Sequence, residues 1–219
     1  MPQSPAFIAF TGVDRADLLP ELVALSARYP IEWGLLVDPA QETNPLFPDA
    51  ATRAALLAAP LRWAAHVCGQ SARDIVARPD TAAAAAAIGG VQRVQVNHSR
   101  TGSEAEAIEA TVRFGRRMAV RTVLQCGGAF PSDTRTDWLY DISFGTGVKP
   151  TTWPVLDPEG AFCGYSGGIG PQTVRGVLDA IAAPPGALYW IDMESGVRTD
   201  GWFDLAKARA VCEAVFGAR

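Results

Sequence analysis

Two short segments carry the densest anion-binding chemistry in this 219-residue chain: Ser166-Gly167-Gly168-Ile169-Gly170-Pro171 and Glu194-Ser195-Gly196. Adjacent glycines ahead of a helix let backbone N–H groups approach an anion with no Cβ in the way, and the helix dipole adds favourable potential. A single glycine pair is as readily a tight turn. Two such segments, each following an apolar run, point to a phosphate held by Gly167, Gly168, Ser195 and Gly196. Polar side chains recur where other apolar runs give way to loops: Thr11, Asp38, Asp141, Ser166 and Glu194, accompanied by His66, Cys68, Gln95, Asn97, His98 and Asp192. Carboxylates and histidines at such places suit general acid–base work, the histidines titrating near neutrality.

These residues share a site only if the chain gathers the ends of its apolar runs. Residues 6–11, 31–37, 61–68, 91–97, 120–126, 138–142, 161–165 and 188–193 read as strands, nearly continuous in hydrophobicity as in a sheet covered on both faces. Residues 15–29, 49–58, 72–87 and 103–117 read as intervening helices, the last opened by the capping-box spacing of Ser103 and Glu106. Pro171 marks the first turn of a helix after strand seven, and a closing helix spans about 201–216. The connection 127–136 is too short for a full helix, so the helix after strand five is reduced or absent. Residues 144–159, with Gly145-Thr146-Gly147 as a turn or hinge, read as a long irregular loop. Eight evenly spaced β/α units and no GxGxxG after the first strand favour a single-domain α/β protein, a (β/α)8 TIM barrel over residues 1–219, above a doubly wound open sheet. In such a barrel the strand C-termini carry the working residues, and the loops after strands seven and eight form the usual phosphate site.

A net charge of −4 with scattered basic residues provides no field for nucleic acid. No apolar run reaches the roughly 18 residues of a membrane span, and Met1-Pro2-Gln3-Ser4 lacks the features of a signal peptide, so a cytoplasmic location is expected. Cys68, Cys126, Cys163 and Cys212 show no CxxC spacing, which predicts reduced, buried thiols and neither a metal site nor a disulfide framework. Trp33, Trp63, Trp138 and Trp190 fall within strands and read as core, whereas Trp153 lies in the loop after strand six, where an aromatic can cover a planar ligand group. The partner these features imply is a small phosphorylated molecule, taken up by a monomer or homodimer.

Several segments resemble the phosphoribosylanthranilate isomerase family in order and spacing: Phe10-Thr11-Gly12, Val94-Gln95-Val96, Tyr140-Asp141-Ile142-Ser143-Phe144-Gly145-Thr146-Gly147, Ser166-Gly167-Gly168-Ile169-Gly170-Pro171-Gln172-Thr173-Val174 and Ile191-Asp192-Met193-Glu194-Ser195-Gly196-Val197. That resemblance implies a cofactor-free Amadori rearrangement in tryptophan biosynthesis, in which an aminoaldose phosphate becomes an aminoketose phosphate. It implies Asp141 as the general acid. The family's base is a cysteine in a Lys-Ile-Cys-Gly motif, where this chain has Ala9-Phe10-Thr11-Gly12. A threonine hydroxyl has no comparable basic form near neutral pH. The family's arginine after strand two has no counterpart in residues 42–48, and Asn97 stands where a histidine is expected. The resemblance therefore predicts a phosphosugar isomerase with a non-standard base, for which Asp38 and Glu194 are candidates, with Gln95, Asn97, Ser166 and Asp192 lining the pocket. The alternative is a catalytically inactive phospholigand-binding or interaction protein on the same fold.

Overall fold

The computed structural model of the chain describes residues 3–80, 88–98, 104–143 and 148–218. Eight parallel strands close into a barrel in sequence order: β1 (Phe7–Thr11), β2 (Ile31–Val37), β3 (Trp63–Val67), β4 (Arg93–Val96), β5 (Arg121–Cys126), β6 (Asp137–Tyr140), β7 (Cys163–Tyr165) and β8 (Tyr189–Met193). Closure is made where β1 pairs with β8, Phe7 opposite Trp190 and Ala9 opposite Asp192. Helices α1 (Leu19–Ser26), α2 (Ala50–Leu57), α3 (Gly69–Ala77), α4 (Ala105–Met118), α5 (Val174–Ile181) and α6 (Leu205–Phe216) surround it. This is the (β/α)8 barrel expected from the β/α rhythm. No helix of the described residues is long and apolar enough to cross a membrane. The helix expected over 72–87 instead ends at Ala77, with residues 78–80 non-helical; residues 81–87, Ser103 of the capping pair and the Gly145-Thr146-Gly147 turn lie outside the described residues.

No helix forms in residues 127–136, as their length requires, nor among the described residues between β6 and β7. Aromatic side chains cover the barrel there instead. Tyr165 meets Phe130 and Trp153 edge to face at centroid distances of 5.2 and 5.7 Å. The Tyr165 hydroxyl donates to Pro154 O at 2.7 Å and that of Tyr140 to Thr152 O at 3.1 Å, tying the long loop down. Trp153 is thereby packed on the outer wall and does not line the cavity described below. Its expected role over a planar ligand is corrected on that ground.

Local chemistry moves three helix starts. The first helical segment is split: a 3-10 turn at Ala16–Leu18 leads into α1, whose second residue, Pro20, needs no N–H partner in a first turn. Pro171 precedes α5 by a turn, in which Thr173 Oγ1 accepts from Gly170 N and donates to Gly168 O. The closing helix starts only at Leu205, because Asp200 and Gly201 both take positive φ and turn a small hairpin, β9 (Arg198–Thr199) against β10 (Trp202–Phe203). Asp-Gly is the pair such a two-residue turn demands.

Alternation along the strands sorts the core in two. Ile8, Phe10, Trp33, Trp63, Trp138 and Tyr189 face the helices, whereas Phe7, Ala9, Val123, Leu139 and Trp190 pack along the barrel axis. A Cβ at Gly164 would overlap the Trp190 indole, so the bare backbone of β7 makes room for the ring that fills the waist. Below that waist the interior is charged. Arg93 pairs with Glu32 at 3.2 Å and Asp137 at 3.4 Å, and its guanidinium lies 4.2 Å from the Trp190 ring centroid. Arg62 adds a 2.9 Å bond to Glu32, and Arg121 bonds Asp137 from the rim. The strands are thus less uniformly apolar than the sequence suggests: every second residue enters a narrow interior whose ends are polar.

Candidate functional site

The C-terminal ends of the strands surround a cavity of about 520 Å³. Inward alternation delivers one polar side chain per strand to its floor: Thr11 from β1, His66 from β3, Gln95 from β4 and Gln125 from β5. The other wall follows with Asp141 just beyond β6, Ser166 beyond β7 and Asp192 within β8. All seven are buried, so the chemistry of each is decided by its partners.

Thr11 Oγ1 donates to Asp192 Oδ1 at 2.7 Å and contacts His66 Nε2 at 3.3 Å. Because the hydroxyl proton goes to Asp192, the histidine contact is completed by Nε2–H donating to Oγ1. Gly34 allows this meeting across β2: a Cβ there would stand 2.7 Å from Thr11 Oγ1 and 3.1 Å from His66 Nε2. Burial, aided by the charge of Arg93, drives the His66 pKa down to about 3, so the imidazole is neutral. Burial pushes Asp192 the other way, up to about 7, reinforced by the charges of Asp141, Glu194 and Glu32 and opposed by the Thr11 hydrogen bond. Glu194 is also raised, burial being the main cause.

Asp141 accepts from Ser143 N at 2.8 Å and Ser143 Oγ at 2.7 Å on one oxygen, and from Gln125 Nε2 at 3.0 Å on the other. Gln95 Nε2 donates to Asn97 Oδ1 and Asn97 Nδ2 to Cys68 Sγ, at 2.9 and 3.4 Å. The Cys68 thiol lines the cavity, but burial raises its pKa to about 11, which leaves it protonated and a poor nucleophile.

At the rim, Gly167 and Gly168 adopt φ of +109° and +67°. A Cβ on either would crowd Pro150 or Lys149, at 2.6 and 2.8 Å, so this pair lets residues 148–150 lie directly on the loop after β7. The N–H groups of Gly167, Gly168, Ile169 and Ser195 donate to no acceptor among the described residues. Lys149 extends along Gly168 and lines the cavity beside them. Backbone donors of this kind with an ammonium at their edge are groups that can hold an anion.

Of the residues singled out in the sequence, Thr11, Gln95, Asn97, Asp141, Ser166, Gly167, Gly168, Asp192, Glu194 and Ser195 line this one cavity. Gly196 sits behind it, pressed on the backbone of Ile169 and Gly170, where it lets the two rim loops touch. Asp38 is turned away: its carboxylate accepts from Ala40 N at 3.1 Å and packs over Gly69. Sequence reasoning passed over Lys149, one of only two lysines in an arginine-rich chain, and over Leu46 and Phe47, which line the cavity from the β2 loop. Among the described residues no three histidine, cysteine or carboxylate side chains form a metal-binding group.

The fold defines the class: a closed (β/α)8 barrel with a polar cavity at its C-terminal face. No protein-family model matches the chain, and no curated protein matches it. Among solved structures the chain is similar to N-(5'-phosphoribosyl)anthranilate isomerase from Pyrococcus furiosus, with a TM-score of 0.58 and 12% identity over 97% of this chain and 99% of that one. It is also similar to 3-keto-L-gulonate-6-phosphate decarboxylase from Vibrio cholerae, with a TM-score of 0.50 and 12% identity over 97% and 98% of the two chains. A mutant tryptophan synthase alpha-subunit from Pyrococcus furiosus aligns over 90% of each chain, with a TM-score of 0.50 and 13% identity. At these identities the likeness is one of fold.

Proposed function

We propose that this barrel binds a phosphorylated sugar derivative and moves protons on it, as an aldose–ketose isomerase of the Amadori type. The observation that carries the reading is one cavity holding both the Gly167–Ser195 donor rim with Lys149 and, across its floor, a buried carboxyl, Asp192, poised between its protonated and ionised forms near neutral pH. The rim takes the phosphate. The floor supplies the two proton transfers that open an aminoaldose ring and shift its unsaturation.

Asp192 in its protonated form keeps Oδ1 on the Thr11 hydroxyl and offers Oδ2–H to the ring oxygen as the sugar opens to an iminium. Asp141, held by Ser143 and Gln125, takes the proton from C2, giving an enaminol that is reprotonated at C1 to the aminoketose. These roles invert the assignment of Asp141 as acid that the family resemblance implies. Thr11 and His66 act by position, fixing the Asp192 carboxyl, which removes any need for a base at residue 11. The 3-keto-L-gulonate-6-phosphate decarboxylase fold likeness is compatible with a phosphorylated sugar ligand.

The test is turnover of N-aryl ribosylamine 5-phosphates in deuterated water, reading aminoketose formation and deuterium at C1. Asp141→Asn and Asp192→Asn should each lower the rate by roughly a hundredfold or more. A wild-type rate surviving in either variant refutes the acid–base assignment. Tight binding with no turnover by the wild-type chain would make it a phospholigand-binding protein instead.

A further inference from the structure

The cavity is electrostatically lopsided. Its charged lining residues among those described are Asp141, Asp192 and Glu194 against the single cation Lys149, which lies at the β7 loop. The opposite side, three strands round the closed order at β2, is lined by Leu36, Leu46 and Phe47. Leu46 reaches beside Gly12 at the mouth of β1.

Two guanidiniums near that side, among the described residues, are held by protein groups. Arg53 donates to Pro48 O at 2.6 Å and to Glu42 Oε1 at 2.8 Å, bracing the loop that presents Leu46 and Phe47. Arg198 donates to Gly12 O at 2.7 Å and to Asp14 Oδ2 at 2.8 Å; it lies beside Leu46 at Gly12, and its charge, paired with Asp14, also lowers the pKa of Glu194 against the effect of burial. Neither lines the cavity. A ligand anchored by its phosphate at Lys149 therefore spans the carboxyl groups and ends against apolar side chains. A second anionic group at that end would meet like charge in a half-enclosed, weakly screened space whose lining there, among the described residues, holds no cation.

Resting on the phosphate reading above, we propose that the ligand is a phosphate ester of a short polyol whose far end bears an apolar group that is uncharged or cationic, never anionic. An amine linking the two parts fits the same field, since its positive form faces Asp141 and Glu194.

The experiment uses four probes on the intact protein, read by calorimetric titration: ribitol 5-phosphate, and the 1-amino-1-deoxyribitol 5-phosphates carrying N-benzyl, N-phenyl and N-(2-carboxyphenyl) groups. The phenyl adduct should bind roughly tenfold tighter than ribitol 5-phosphate through its buried ring. The benzyl adduct, protonated at nitrogen, should bind at least as well as the phenyl one. The carboxyphenyl adduct should bind roughly tenfold or more weaker than the phenyl one. In Phe47→Arg, with an unchanged melting temperature as the check on folding, that last difference should shrink or reverse.

If the carboxyphenyl adduct binds as tightly as the phenyl one, the inference is overturned while the phosphate reading stands. It is overturned equally if ribitol 5-phosphate binds and the rings add nothing. If no phosphorylated probe binds, the phosphate reading fails and takes the inference with it.

Discussion

Replacing Asp192 by asparagine should stabilise the protein at alkaline pH and leave it unchanged in acid. The carboxyl is buried and its pKa is pushed from an ordinary 3.8 up to about 7, burial being the largest cause. With the folded value above the unfolded one, the native chain keeps a proton that the unfolded chain has released between about pH 4 and pH 7. Its contribution to stability is full below pH 4, falls through that window and is gone above pH 7. Three pKa units correspond to roughly 4 kcal/mol.

His66 has the opposite sign, its pKa lowered from 6.5 to about 3, so its contribution is present above pH 6.5 and lost as pH falls toward 3. The two slopes oppose one another between about pH 4 and 6.5, and the wild-type curve hides both. Subtracting it from that of Asp192→Asn removes the histidine. Asparagine still offers an oxygen to the Thr11 hydroxyl, so the 2.7 Å bond is retained. Urea unfolding in half-unit steps from pH 4 to 8.5 should show a difference near zero at the acid end, rising to a plateau of a few kcal/mol above pH 7. A difference independent of pH, or largest in acid, refutes the reasoning.

Arg93→Met strands Glu32 and Asp137 without their central cation and should cost about 3–5 kcal/mol in urea unfolding. At roughly 2–4 °C per kcal/mol that is a melting point roughly 6–20 °C lower. Adding Glu32→Gln should restore part of the loss, and a cost under about 1 kcal/mol would show that the rim arginines suffice. Gly34→Ala forces a Cβ to within 2.7 Å of Thr11 Oγ1 and should lower stability by about 1–3 kcal/mol, with the pKa of Asp192 rising further as its Thr11 bond weakens. A carboxyl signal unmoved in infrared or NMR titration would mean that the bond survives. Lys149→Ala should weaken ribitol 5-phosphate binding by roughly tenfold, more at low salt than at high, with Lys149→Arg retaining most of it. Equal affinity in the alanine variant places the phosphate elsewhere.

What the sequence reveals here follows from how local each cause is. Eight strands and a missing helix after β5 are legible because apolar runs and a short connection act within a few residues. The polar rim is legible for the same reason: glycines and hydroxyls after strands seven and eight sit side by side in the chain. The Arg93 network is not, since Glu32, Arg93 and Asp137 come from three strands and look like lone charges in apolar runs until closure aims them inward. Thr11, His66 and Asp192 meet only because Gly34 is bare on the strand between β1 and β3, a relation that no sequence spacing encodes. Asp200-Gly201 was a readable hairpin signal, hidden by the expectation of a helix beginning at Gly201.

Thr11 itself is explained by the desolvation that governs its neighbours. Every cysteine of the chain has its pKa raised mainly by burial, to about 11 at Cys68 on the cavity wall and about 12 at Cys126 at the end of β5. Residue 11 is buried as deeply, faces Asp192 and touches a histidine that is itself neutral, with no described cation beside it. A thiol placed there meets no positive charge to draw out its proton and a carboxyl that opposes its ionisation. Thr11→Cys should therefore carry a thiol pKa above the ordinary value of about 8.5, measured from thiolate absorbance against pH, and should not exceed the wild-type rate of proton transfer. A thiol titrating below pH 7 would overturn the account, because it would show that the site still activates a base on β1. With the pKa raised, the proposed acid–base role falls to Asp192, whose desolvated carboxyl is pushed up to about 7.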